Sequence, residues 1–203
     1  MFDRMPLGSD SVFLDLGCGA GPALVKACEF APRLVIGLDM DRGSLLAAKA
    51  LLKSEHQKYL LVQGDMTSLP FKPEAFSHLC CRLAIPYVDQ KQTVAEIGRV
   101  LDRRGRIFLQ LHSWRFYVRL LLKQFGRWKR VVLNGFCLLN GLIFHITGLQ
   151  LVVPLKKGDY QELHQTERGI RNLLAGVNIK TTWVEGSPLF RLLGIKENGK
   201  WLR

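Results

Sequence analysis

No two of the five cysteines stand in a C-x-x-C pair, so neither a zinc site nor a disulfide framework is expected, and reduced, packed thiols are. The first ten residues, MFDRMPLGSD, contain no apolar stretch of the kind a signal peptide needs, which points to a cytoplasmic protein. Internal repeats and low-complexity tracts are missing, so repeat architectures and disorder are set aside. Acidic residues are scarce: 17 stand against 29 Lys and Arg, a formal charge of +12. That surplus favours anionic partners, whether nucleic acid, acidic lipid or acidic metabolite, without choosing among them. With 48% hydrophobic and 23% charged residues, the 203-residue chain is long enough to bury a core as a single domain over 1–203.

Short apolar runs alternate with helical patterns. This predicts an α/β fold, a Rossmann-like, doubly wound and mostly parallel sheet with helices on both faces. Strands are expected at 11–16, 33–38, 59–64, 77–83 and 103–112. Helices are expected at 22–30, 41–55, 89–102 and 167–176. The last two strands, 177–185 and 189–197, are joined by GSP and read as an antiparallel hairpin, bringing the sheet to seven strands.

The stretch VFLDLGCGAGPAL (12–24) carries the chemistry. Gly17, Gly19 and Gly21 let the main chain turn sharply and approach a ligand without Cβ interference. A dinucleotide fingerprint spaces its glycines G-x-G-x-x-G, whereas here the third comes one position early and Pro22 follows it. Asp15, just upstream, would repel a pyrophosphate and suits a cationic ligand.

LDLGCGAG, VIGLDMD, VQGDMTSLPFKPEAFSHLCC and EIGRVLDRRGRIFLQ, in that order, resemble the motifs of the class I S-adenosylmethionine-dependent methyltransferases. The likeness is to the small-molecule branch that contains the quinone-biosynthesis (type 11) enzymes, and it covers roughly 11–111 and the last strands. It implies S-adenosyl-L-methionine as cofactor, with the glycine loop including Cys18 against it. Asp39 would hold the ribose hydroxyls and Met40 would lie on the adenine face. Asp65 would accept from the adenine amino group, the Met66 main chain would read the ring edge, and Cys81 on the fourth strand completes the set. Asp15 would favour the sulfonium and ammonium, directly or through water. Taken singly, Asp39 also reads as a helix cap, a role open equally to Asp41, and Asp65 as a turn residue.

The chain departs from that pattern at Ser77, where an aspartate is usual, and at DRRGR, which replaces a Pro-Gly-Gly turn. About ten residues precede the first strand, where the family often carries pocket-covering helices. The lid is therefore expected in the insertion 112–168 between strands five and six. From Arg99 to Arg130 ten Lys or Arg face one acid, Asp102, and an uncharged run fills 131–153. That run is long enough to cross a bilayer, but it holds Asn134, Asn140, His145, Thr147 and Gln150. A crossing would also separate the last strands from their partners. Amphipathic helices over the pocket, with peripheral membrane contact through 112–153 or simply an enlarged core, are the expectation.

The resemblance implies in-line methyl transfer to a small, apolar acceptor. Nucleic-acid methylation, suggested by the charge, is the alternative, although LAIPY (83–87) lacks the Asp/Asn-Pro-Pro-Tyr of amino-group methylation. A non-catalytic S-adenosylmethionine-binding protein is the third reading. His112, Tyr117 and His145 are base candidates by type only, and no catalytic residue is assigned.

Overall fold

The computed structural model describes residues 1–54, 58–123, 128–149, 151, 164–186 and 189–197. The strands are β1 (Val12–Leu16), β2 (Leu34–Asp39), β3 (Tyr59–Gln63), β4 (Phe76–Arg82), β5 (Leu101–His112), β6 (Ile179–Glu185) and β7 (Leu189–Lys196). The helices are α1 (Pro22–Cys28), α2 (Arg42–Leu51), α3 (Gln90–Val100), α4 (Trp114–Lys123), α5 (Trp128–Thr147) and α6 (Glu167–Ala175). One seven-stranded sheet has the order β3-β2-β1-β4-β5-β7-β6. Its first five strands pair in parallel, and β7 runs antiparallel to both β5 and β6. This is the mostly parallel, doubly wound sheet with a C-terminal hairpin that the alternating pattern predicts.

The central strands are apolar on both faces because both are covered. Every residue of β1 is buried. Side-chain alternation sends Leu14, Leu16, Leu38, Leu79, Ile107 and Leu109 to one core. There they meet Val94, Ile97, Ile170 and Leu174 of α3 and α6. Phe13, Val35, Cys80 and Phe108 go to the opposite core, against Leu24 and Ala27 of α1, Leu45 of α2, and Phe2, Met5 and Leu7 from the first residues. No disulfide joins the five cysteines, and all five are buried.

Local chemistry sets the element ends. Pro22 opens α1 behind Gly21, whose φ of 83° only glycine adopts without strain. Asp41 caps α2 by accepting from Ser44 N at 2.7 Å, Asp89 caps α3 through Gln92 N at 2.9 Å, and Thr166 caps α6 through Gly169 N at 3.2 Å.

Several boundaries differ from expectation: α1 stops at Cys28 and α2 at Leu51. The third helix stops at Val100, and the strand already begins at Leu101, paired with Phe76. DRRGR is therefore an irregularity inside β5, with Arg104 at a φ of 63°, rather than a turn before it. Ser77 pins the start of β4 to β1: its Oγ accepts from Val12 N at 3.0 Å and donates to Val12 O at 3.3 Å.

The run 131–153 becomes most of α5. The helix ends at Thr147, after which Gly148 has a φ of 72°, and Asn140 from its middle grips the returning chain, donating to Leu151 O at 2.8 Å and accepting from Leu151 N at 2.9 Å. Among the described residues no helix is long and apolar enough to cross a membrane. The expected lid spans 112–168, and its portion 152–163 lies outside the described residues.

Candidate functional site

A cleft of about 440 Å³ opens at the carboxyl ends of β1 to β4, where a doubly wound sheet places its ligands. Its lining brings together Gly17, Asp39, Met40, Asp65 and Met66, which the sequence singles out, with Arg82 and Ala84, which it does not. Three carboxylates, those of Asp39, Asp41 and Asp65, face one guanidinium, so the cleft is biased toward a cation.

The glycine loop is tied to the neighbouring strand tip. Gly17 N and Cys18 N both donate to Leu38 O, at 2.8 and 3.1 Å. Gly19 N donates to Asp39 Oδ2 at 2.8 Å, and Asp41 N donates to Asp39 Oδ1 at 2.9 Å. Asp39 thus organises the loop, while capping of α2 falls to Asp41. Each Asp39 oxygen keeps acceptor capacity beyond these single bonds. Met40 beside it is 54% exposed over the cleft, and Gln63 Nε2 holds its carbonyl at 3.1 Å. Asp65 forms the turn read from GDMTSLP, accepting from Thr67 N and Thr67 Oγ1, both at 2.8 Å. It lines the cleft from that turn.

Cys18 and Cys81 send their thiols into the two cores, where the Cys18 thiol meets Gly19 O at 3.7 Å and the Cys81 thiol the main chain of Ala84 and Ile85. Burial pushes both thiols up to about 12, which keeps them protonated and unreactive.

Arg82 and the residues after it carry little sequence signal, because LAIPY is informative only for what it lacks. A non-glycine residue in the left-handed region marks the spot: Leu83 has a φ of 61°, held by its N–H to Gln110 O at 2.7 Å. That bend drives Ala84 against Gly17, where a Cβ would lie 2.4 Å from Ala84 Cβ.

Asp15 sits beneath the loop with no exposure, outside the cleft lining. Neither carboxylate oxygen meets a hydrogen-bond partner among the described residues, and Arg82 Nη2 stands 4.0 Å from Oδ2. Burial pushes its carboxyl up to about 7, while the Arg82 guanidinium and a weak thiol contact from Cys80 pull the other way.

The folded chain therefore keeps a proton that the unfolded chain releases near its ordinary value of 3.8. Asp15 lowers stability progressively as pH rises from about 4 to about 7, by a total on the order of 4 kcal/mol. The buried His164, driven down to about 4, tilts stability the opposite way below pH 6.5. The readout is accordingly the difference between variants. Asp15→Asn is expected to exceed the unaltered protein in urea unfolding at both pH 5 and pH 8, by clearly more at pH 8. A difference between the two proteins that is the same at pH 5 and pH 8 would contradict a buried, proton-holding Asp15.

A second cavity, of about 520 Å³, lies further along the same sheet edge, beyond β5, β7 and β6. Ser113 and Trp114 follow β5 into its wall, His145 comes from α5, and His164, Val184 and Phe190 complete that part of the lining. Of the base candidates only His145 reaches it. His112 is half-buried and stacks on Phe116 at 3.9 Å, and Tyr117 is fully buried with its ring 4.8 Å from that of His164. His164, which the sequence does not single out, is 5% exposed and has no partner for Nδ1 among the described residues.

Residues 14–109 match the family model described as "Methyltransferase domain". The chain is 32% identical over 103 residues to the uncharacterized methyltransferase YcgJ of Bacillus subtilis, a match covering 49% of this chain and 40% of that protein. It is 36% identical over 98 residues to the demethylmenaquinone methyltransferase of Lactococcus lactis, covering 46% and 39%. The match thus spans about two fifths of the length of these curated relatives. Among solved structures, an S-adenosylmethionine-dependent methyltransferase of Methanosarcina mazei shares the fold, with a TM-score of 0.70, 18% identity, and 98% of each chain covered. A Haloferax volcanii protein solved with the Trm112 methyltransferase activator gives 0.69 at 15% identity, covering 97% of this chain and 87% of that one.

Proposed function

We propose that the chain, whose residues 14–109 match the methyltransferase-domain family model, transfers the methyl group of S-adenosylmethionine to a small, apolar acceptor. The observation that carries this reading is the meeting, at adjacent strand tips, of a bare glycine loop with the carboxylates of Asp39 and Asp65. A ligand with vicinal hydroxyls, an amino-bearing ring and a net cation matches that donor set; a pyrophosphate does not.

In this reading Asp39 accepts from both ribose hydroxyls with the capacity left after Gly19 and Asp41. Met40 covers the adenine face, Asp65 accepts from the amino group, and the Met66 main chain meets the ring edge. Gly17, Cys18, Gly19 and Gly21 present main chain alone to the amino-acid end. Asp15, from beneath the loop, favours the cation in its ionised form, and Arg82 would take a carboxylate.

S-adenosylmethionine supplies, when bound, a methyl group already activated on a sulfonium. The chain's own contribution is to hold the acceptor in line and exclude water. The second cavity is the entrance for that acceptor, and α4 and α5 of the insertion form the lid. His145 and the neutral His164 line it, and neither is assigned as a base. A relative named demethylmenaquinone methyltransferase supports an apolar acceptor. The charge of +12 favours nucleic acid as a second acceptor class.

Incubation with methyl-tritiated S-adenosylmethionine and a panel of quinols, phenols, lipids and transfer RNA tests the assignment. Label is expected in an organic-extractable product. Label in RNA, with a steep salt dependence, would move the assignment to nucleic acid. Donor binding with no product from any acceptor would favour a non-catalytic binding protein.

A further inference from the structure

The outward face of α5 is apolar along its whole length. Trp128, Val132, Leu139, Leu142 and Ile146 recur at steps of four, seven, three and four residues, which places them on one side of the helix. All five are more than half exposed. Cys137, Asn140 and Phe144, on the other side, are buried. At 1.5 Å per residue the stripe runs for roughly 27 Å. A contiguous surface of this kind on a protein is an interaction site rather than scattered exposure.

The charge around it says what it meets. In the sequence, residues 114–158, which include α4 and α5, contain eight Lys or Arg and no Asp or Glu. Arg115, Arg119 and Lys123 are exposed on α4 at four-residue spacing, alongside the exposed Trp114 and Leu122. A second copy of the chain joined through this face would set the same cations against themselves. An anionic bilayer instead takes the apolar stripe into its acyl boundary and the cations at its headgroups.

We infer that α5 lies flat on an anionic membrane, with α4 as its basic flank. Ile146 at the end of the stripe adjoins His145, and His145 and Trp114 both line the second cavity. On the methyl-transfer reading, on which this clause rests, the acceptor is a molecule dissolved in the bilayer that enters the cavity from the membrane side.

The full chain is to be centrifuged with vesicles of phosphatidylcholine alone and of phosphatidylcholine with phosphatidylglycerol. The expected result is binding to the anionic vesicles, weakened by salt and lowered about tenfold or more in Leu139→Glu/Leu142→Glu. Acyl-brominated lipid should quench tryptophan emission, less so in Trp128→Phe. Arg119→Glu/Lys123→Glu is the second variant, expected to bind the anionic vesicles less, with circular dichroism verifying the fold of each. Protein left in the supernatant with both vesicle types would overturn the inference. So would anionic binding that the leucine variant leaves unchanged, or a dimer that it disperses. Calorimetry with S-adenosylmethionine on the same variants separates this inference from the donor site: intact donor binding with lost vesicle binding supports docking through α5. Intact vesicle binding without donor binding leaves docking standing and removes the methyl-transfer reading.

Discussion

Asp39→Ala is expected to lower affinity for S-adenosylmethionine by more than a hundredfold in calorimetry. In the proposed site two charge-assisted hydrogen bonds to the ribose would be lost, each contributing on the order of 1.5 kcal/mol or more. The loss extends beyond direct contact, because the same carboxylate ties Gly19 to the tip of β2 at 2.8 Å and Asp41 N at 2.9 Å. Asp39→Asn keeps one acceptor oxygen but no charge, and is expected to fall between alanine and the unaltered protein. Stability should move little, since Asp41 and not Asp39 caps α2. Unchanged donor affinity in Asp39→Ala would remove Asp39 from the site.

Gly17→Ala is expected to destabilise the fold by about 2–4 kcal/mol, a fall in Tm of roughly 10 °C, and to abolish donor binding. Two costs coincide there. The φ of 68° is unfavourable for any residue with a Cβ, and the new methyl would stand 2.4 Å from Ala84 Cβ. Ala84 has little room to retreat, because the adjoining Leu83 is itself in the left-handed region and hydrogen-bonded to β5. Gly19→Ala is the control. Its φ of 55° carries the same backbone cost, but nothing lies within 4 Å of the added carbon. Its destabilisation should stay near 1–2 kcal/mol. Equal losses in the two variants by thermal unfolding would mean that the packing of β4's bend on the glycine loop does not matter.

The sheet was legible in the sequence because its central strands are short apolar runs, and both faces of such strands demand cover. β1 and β4 read correctly for that reason. The junction between α3 and β5 read less well. Val100 and Leu101 are both apolar, and periodicity does not mark where a helical turn becomes a strand. The glycines stood out as bare residues at the end of an apolar run, whereas Asp39 and Asp65 were singled out by the resemblance of VIGLDMD and VQGDMTSLP to family motifs. Arg82, Leu83 and Ala84 did not, since their place depends on a left-handed bend at a leucine, which no local preference announces. His164 was hidden for a different reason. A histidine in a polar stretch looks solvated, and only tertiary packing against Tyr117 buries it.

Titration of the unaltered chain with S-adenosylmethionine, in parallel with a pyrophosphate dinucleotide, is the most direct measurement of the central claim. Saturable one-to-one binding of the sulfonium nucleoside, undisturbed by the dinucleotide, is the predicted result. No heat from the former, or its displacement by the latter, would contradict the assignment of the cleft.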